Sequence, residues 1–262
     1  MGKELLAWYQ EIGVDETISE SSIDKVQTPI APKPATEKQA APLHQAPMQK
    51  PQSKAVPMPS QPQIVASAKD LVKDVKNLEE LRQVMENFDG CALKKTATNL
   101  VFGDGNPKSK IMLIGEAPGA DEDREGLPFV GQSGKLLANI MTSIGLDRTS
   151  YYITNVIPWR PPGNRAPTPL ETAMCLPFVE KHIELVNPNV IVMVGATSLK
   201  ALLDKTDGIT KLRGKFFDYQ NCYLEKPIKA FAIYHPAYLL RSPGQKRKMW
   251  SDMLMLKESD LF

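Results

Sequence analysis

Four short, almost unbroken apolar runs, each followed by a stretch of helical character, constrain this chain more than any other feature. The runs are Lys110–Gly115, Tyr152–Val156, Val190–Gly195 and Lys229–Tyr234. Strands without polar alternation are buried on both faces, which is the mark of a parallel sheet covered by helices on each side. The helical stretches are Gly134–Met141, Pro169–Val186 with proline at its start, a segment beginning at Thr197, and Lys246–Leu256. The pattern predicts an α/β fold: three layers, α/β/α, around a mainly parallel central sheet of about four strands. The chain carries no internal repeat.

In such sheets a ligand binds beyond the carboxyl ends of the strands. Three residues able to do chemistry follow strand ends here: Glu116, Asn155 and His235. The loop Gly115-Glu-Ala-Pro-Gly119 is glycine-bounded, yet it lacks the lysine and spacing of a Walker loop and the dinucleotide fingerprint is also absent. It is followed by Asp121, Glu122 and Asp123, which would repel a triphosphate and suit water activation or hydrogen bonding to a base edge. Each acid alone also reads as a loop charge at the surface.

Composition divides the chain into three. Residues 1–20 hold Leu5, Leu6, Trp8, Tyr9 and Ile12 at helical spacing, a short amphipathic helix suited to docking or to a protein partner. Residues 21–67 are rich in proline, alanine and glutamine; nine of the 22 prolines lie in 22–66, and the segment reads as a disordered linker. The folded domain is expected over 68–262, opening with helical periodicity from Leu71 through Glu86. Net charge is only +2, but nine Lys/Arg face two acids between Lys211 and Lys248. That run is either a solvated face or a phosphate-tracking patch. Three cysteines, Cys91, Cys175 and Cys222, are too few for a disulfide framework and suggest a reducing compartment. With no apolar run long enough for a membrane span and no secretory or myristoylation signal, the expectation is cytoplasmic, with no membrane partner.

Three blocks together resemble the family 4 uracil-DNA glycosylases. The first is Gly115-Glu-Ala-Pro-Gly with Glu122-Asp123 and Gly126-x-Pro-Phe-Val-Gly-x-x-Gly-x-Leu-Leu137; the second is Thr154-Asn-Val with Arg160-Pro-Pro-Gly-Asn-Arg165; the third is His235-Pro-Ala-Tyr-Leu-Leu-Arg241. The resemblance spans about residues 88–255. It implies hydrolysis of the N-glycosidic bond of uracil flipped out of DNA, leaving an abasic site. Phe129 would stack on the base, which in isolation also reads as a core aromatic. Asn155 would pair with the uracil O4 and N3–H edge, a pattern cytosine reverses, though an asparagine after a strand is often a turn residue. His235 would stabilise the charge growing on uracil O2; His44 lies in the linker and His182 on a helix face expected to be exposed. Glu116 would orient water, Glu122 would stand nearer the base and exclude the thymine methyl, and the Ala117 amide would contact the base. Leu239, Leu240 and Arg241 would fill the gap left by the flipped base, with core packing an equal reading for the leucines. Arg160, Arg165, Arg241, Lys246, Arg247 and Lys248 are candidate phosphate contacts.

One departure stands out. The family holds a four-iron, four-sulfur cluster on four cysteines, whereas the matching positions here are Phe88, Cys91, Trp159 and Cys175. Two thiolates do not complete a four-cysteine site. The expectation is no cofactor and no metal, with Phe88 and Trp159 filling the cluster's volume; a two-cysteine cluster shared between chains is the alternative. The leading reading is a monomeric, monofunctional glycosylase acting on uracil-containing DNA, since no motif places a lysine for a lyase step. Its rivals are a non-catalytic or covalently trapping uracil-DNA binder, disfavoured because residues 158–167 lack the histidine of trapping relatives, and a nucleotide- or sugar-processing enzyme.

Overall fold

The computed structural model describes residues 61–262 apart from Asp204, so the expected helix over 1–20 and the linker up to residue 60 lie outside the described residues. The first described helix, α1, runs Gln61–Val72 and so starts earlier than the expected boundary at Ala68. The helical periodicity from Leu71 to Glu86 is split. A second helix, α2 (Leu78–Asn87), starts afresh at Asn77, whose side chain accepts from the Glu80 amide at 2.9 Å, while Glu80 accepts from Lys76 N at 2.8 Å. This reciprocal cap satisfies amides that a continuous helix would have bonded internally.

The sheet has six strands: β1 (Asp104–Gly105), β2 (Ile111–Gly115), β3 (Tyr152–Asn155), β4 (Val190–Val194), β5 (Phe216–Tyr219) and β6 (Ile228–Ile233), in the order β1-β3-β2-β4-β6-β5. The four inner strands are parallel and are the four apolar runs. The two edges, β1 and β5, are antiparallel, so the sheet is mixed and larger than the expected four strands. Both edges escape a hydrophobic reading. β1 is two residues long, and β5 is only half-buried and carries Asp218 in its middle.

Alternate residues of each inner strand feed two cores, as a pleated strand requires. Met112, Ile114, Ile191, Met193, Ala230 and Ala232 pack on one side under α1, α2, α5 (Pro169–Val186) and α6 (Ala196–Leu203). Ile111, Leu113, Val190, Val192, Val194, Phe231 and Ile233 pack on the other under α4 (Gln132–Ser143), α8 (Pro236–Arg241) and α9 (Lys246–Lys257). The short α3 (Ala120–Glu125) and α7 (Ile209–Leu212) fill loops. The three-layer architecture is therefore present. One residue is corrected by it: His182, on α5, is buried rather than exposed, stacks near Phe102 and shares a 2.9 Å hydrogen bond with the Tyr152 hydroxyl.

The strand order also fixes where a site can be. From β2 the chain moves to β3 on one side and later to β4 on the other, so the crevice opens at the carboxyl ends of β2 and β4. Glu116 follows the first of these ends and Gly195 the second.

Candidate active site

At that crevice lies a cleft of about 910 Å³, lined by Glu116, Ala117, Glu122, Phe129, Asn155 and His235 among others. Parallel pairing sets its floor. Gly115 and Asn155 are register partners at the ends of β2 and β3, and the pairing continues as Val156 N and Ile157 N donate to the carbonyls of Gly115 and Glu116, each at 3.0 Å. A side chain at 115 has no room, because a Cβ there would collide with the Phe129 ring and with Asn155 Oδ1. Glycine at 115 is what lets these two groups meet. Phe129 itself adopts φ 57°, a left-handed conformation that costs a non-glycine residue about 1–2 kcal/mol. Gly134 leaves room for this turn, since a Cβ there would strike the Phe129 carbonyl.

Asn155 is 4% exposed, and its Nδ2 has no hydrogen-bond partner among the described residues. A buried amide donor left unpaired is costly unless something else completes it. His235 caps α8: its Nδ1 accepts from Ala237 N at 3.2 Å, which leaves the ring proton on Nε2. Burial lowers its pKa, an effect that the charge of Glu116 opposes, so the ring is a neutral donor at pH 7. Its centroid lies 6.0 Å from that of Phe129. Glu116 is half-buried, and its Oε2 accepts a 2.6 Å bond from Thr197 Oγ1.

The acids after Glu116 are held by different partners. Glu122 borders the cleft, but its carboxylate is occupied by three backbone amides: Gly119 at 3.1 Å, Val130 at 3.0 Å and Gly131 at 2.9 Å. It ties the loop after β2 to the turn that carries Phe129. Asp123 is not a surface charge; it is buried and accepts from Thr98 N, Thr98 Oγ1 and Asn99 N. Asp121 pairs with Arg124 at the surface.

Around the mouth, Arg241 lines the cleft and is exposed, as is Leu240 at 43%, whereas Leu239 is fully buried and belongs to the core. Lys246, Arg247 and Lys248 are exposed at the start of α9. Arg165 also lines the cleft, but its guanidinium holds both oxygens of Glu171, at 2.9 and 2.6 Å, and this pulls the Glu171 carboxyl down to about 2. Arg160 bonds Asn164 at 2.8 Å. The basic excess between residues 211 and 248 is smaller than the sequence suggests, because Lys211 and Arg213 pair with Asp207 and Asp252, two acids outside that stretch.

The four positions of the cluster motif also come together in the core. Phe88, Cys91, Trp159 and Cys175 are all at most 4% exposed. Phe88 stacks on Trp159 at 6.5 Å and meets Phe178 edge-on at 5.0 Å. The interaction of the two thiols lowers the pKa of Cys91 and, together with burial, raises that of Cys175. Packed rings at two of the four positions do not fit a four-cysteine cluster, and no other group of three or more His, Cys, Asp or Glu side chains is arranged to hold a metal among the described residues.

Sequence reasoning missed the residues that act by shape or through a neighbour. Gly115 and Gly134 stand in the first sequence block, but the room they leave for Phe129 and Asn155 carries no signal in residue type. Thr197 reads in the sequence only as the start of a helix, although the switch point between β2 and β4 would have directed attention to it. Tyr234, Tyr238 and Thr210 also line the cleft, a placement that residue type alone does not indicate.

Residues 102–254 match the family profile described as the Uracil DNA glycosylase superfamily. The chain is 40% identical over 187 residues to the type-4 uracil-DNA glycosylase of Sulfurisphaera tokodaii, covering 70% of this chain and 84% of that protein. It is 39% identical over 188 residues to the type-4 enzyme of Archaeoglobus fulgidus, covering 70% and 94%. It is 41% identical over 169 residues to that of Thermotoga maritima, covering 63% and 85%. The chain belongs to the uracil-DNA glycosylase superfamily, among its type-4 members.

Proposed function

We propose that the protein is a monofunctional uracil-DNA glycosylase of DNA repair. The observation that carries the reading is the unpartnered, buried Nδ2 of Asn155 beside Phe129 in the cleft. Asn155 Nδ2 donates to O4 of a flipped uracil and Oδ1 accepts from N3–H, while Phe129 stacks on the ring. Cytosine, with a donor at position 4 and a bare N3, leaves both Asn155 atoms opposed to like groups. The C1′–N1 bond breaks with its electron pair passing to the base, and the neutral Nε2–H of His235 stabilises the negative charge on O2. Glu116 stabilises the cationic sugar and orients a water; as the water oxygen bonds C1′, its proton passes to the carboxylate. Glu122 acts on the base indirectly, by fixing the loops that carry Ala117 and Phe129. Among the described residues lining the cleft there is no lysine to form a Schiff base.

DNA approaches over Arg241, Leu240, Lys246, Arg247 and Lys248, with Arg160 and Arg165 as further candidates for phosphate contact. The reading extends to a cluster-free core, in which Phe88 and Trp159 take the place of two ligands, and to a monomer of the cytoplasm whose domain spans 68–262 together with the turns of α1 before it. Residues 1–20 would serve a protein partner. No helix among the described residues is long and apolar enough to cross a membrane.

The test is release of uracil from a defined oligonucleotide, read by alkaline cleavage at the abasic site. Release by the wild type, abolished or strongly slowed in Asn155→Ala and His235→Ala, is expected. No release from single- or double-stranded substrate, or a denaturation-resistant protein–DNA adduct, overturns it.

A further inference from the structure

The reading above gives Glu116 a water to orient, yet a glutamate side chain turns about three bonds and must be held to do so. Among the described residues the one hydrogen bond to its carboxylate comes from Thr197, 2.6 Å from Thr197 Oγ1 to Oε2. Thr197 lies in the first turn of α6, across the switch point from Glu116. The turn before it is tightly built. Gly195 has φ 102°, open to glycine and strained for other residues, and a Cβ there would stand 3.0 Å from Cβ of His235. Gly195 and Ala196 line the cleft. One short turn therefore abuts His235 on one side and grips Glu116 on the other.

We propose that Thr197 is a positioning residue for the reaction: its hydroxyl fixes the Glu116 carboxylate and leaves Oε1 as the oxygen that receives the attacking water. A threonine suits the task. Its hydroxyl has a single proton, so the bond to Oε2 commits it, and its β-branch restricts χ1 in a helix. Hydrogen bonds to charged groups contribute about 1.5–3 kcal/mol, which converts to a rate loss of about 10- to 100-fold if the bond matters in the transition state. Since Thr197 acts through Glu116, the loss belongs to the chemical step and not to DNA binding.

The experiment compares wild type, Thr197→Val, Thr197→Ser, Glu116→Gln and Thr197→Val/Glu116→Gln. Single-turnover uracil release is measured beside equilibrium binding of a duplex holding an uncleavable 2′-fluorinated deoxyuridine. Thr197→Val keeps the shape and removes the donor, so it is expected to slow release about 10- to 100-fold with binding within threefold. Thr197→Ser, which restores the donor, stays within about threefold of wild type. The double variant is no slower than Glu116→Gln alone, because the hydroxyl has nothing left to position. Thr197→Val at wild-type rate, Thr197→Ser as slow as Thr197→Val, or full additivity in the double variant overturns the inference. If the wild type itself releases no uracil, the glycosylase reading falls and this one with it; an active wild type with an indifferent Thr197→Val overturns this one alone.

Discussion

Replacing Gly115 by alanine adds one methyl group at the point where the base-recognition groups meet. The new Cβ would lie 2.7 Å from Cε2 of Phe129 and would also collide with Cζ of that ring and Oδ1 of Asn155. Carbon atoms settle at about 3.5–4.0 Å, so the ring must withdraw by roughly 1 Å. Its backbone cannot follow, because the turn is held by the bonds of Glu122 to Val130 and Gly131. The ring and the Asn155 amide therefore rotate off their positions. Overpacking of this kind costs about 1–3 kcal/mol, which a domain stable by about 5–15 kcal/mol survives. A displacement of about 1 Å at reacting groups costs on the order of 100-fold in rate. Gly115→Ala is thus expected to remain folded, with uracil release reduced about 100-fold. Gly126→Ala is the control. Gly126 has φ 71° and nothing closer than 3.7 Å to the added Cβ, so alanine strains the backbone by about 1–2 kcal/mol and leaves release unchanged. Thermal unfolding and single-turnover release, measured on both, separate the effects. A folded Gly115→Ala within threefold of wild type refutes the argument that this glycine sets the pocket.

Three further outcomes follow from the same geometry. Burial holds His182 at about 3, below its ordinary 6.5, so the unfolded chain takes up a proton that the folded chain refuses. Its contribution to stability is complete above about pH 6.5 and falls towards pH 3 by up to about 1.4 kcal/mol per pH unit; urea titrations of His182→Phe against wild type should differ with that slope, and a flat difference sinks it. Arg241→Ala should weaken duplex binding and lower the salt slope by about 0.9, leaving release from saturating substrate nearly intact; an unchanged slope excludes a phosphate contact. Phe88→Ala should cost about 3–5 kcal/mol, and Phe88→Ala/Trp159→Ala less than the sum of the single changes because the rings touch. A loss under 1 kcal/mol in chemical denaturation would show that the rings do not bear on the core.

The parallel centre of the sheet was legible because β2, β3, β4 and β6 are buried on both faces, and burial on both faces leaves an unbroken apolar run. The edges were not. β1 pairs through two residues, and β5 places Asp218 beside Lys229, a cross-strand ion pair that reads in sequence as a loop. His182 shows the opposite failure. A polar residue on a helix suggests solvent, but the hydroxyl of Tyr152 from the neighbouring strand supplies its partner, and only the packed fold brings them within 2.9 Å. Asp123 went astray for the same reason, since its acceptors are satisfied by Thr98 and Asn99 from an earlier loop.

Within the site, the legible residues are those whose chemistry is carried in their own side chains: a carboxylate, an amide and an imidazole after strand ends. What the sequence conceals is how they are held. Glu122 has the same functional group as Glu116 and lies six positions further on, yet its oxygens face three backbone amides while those of Glu116 face the cleft and one threonine. Residue type cannot separate these two carboxylates; only the number of donors around each can. The same distinction applies to the arginines, where Arg165 is committed to Glu171 and Arg241 is exposed at the cleft. Commitment to a protein partner is thus the property that sorts positioning residues from those free to meet a substrate, and it arises from loops distant in sequence. That is why a variant at a silent position such as Gly115 or Thr197 tests the site more sharply than removal of the groups the sequence already displays.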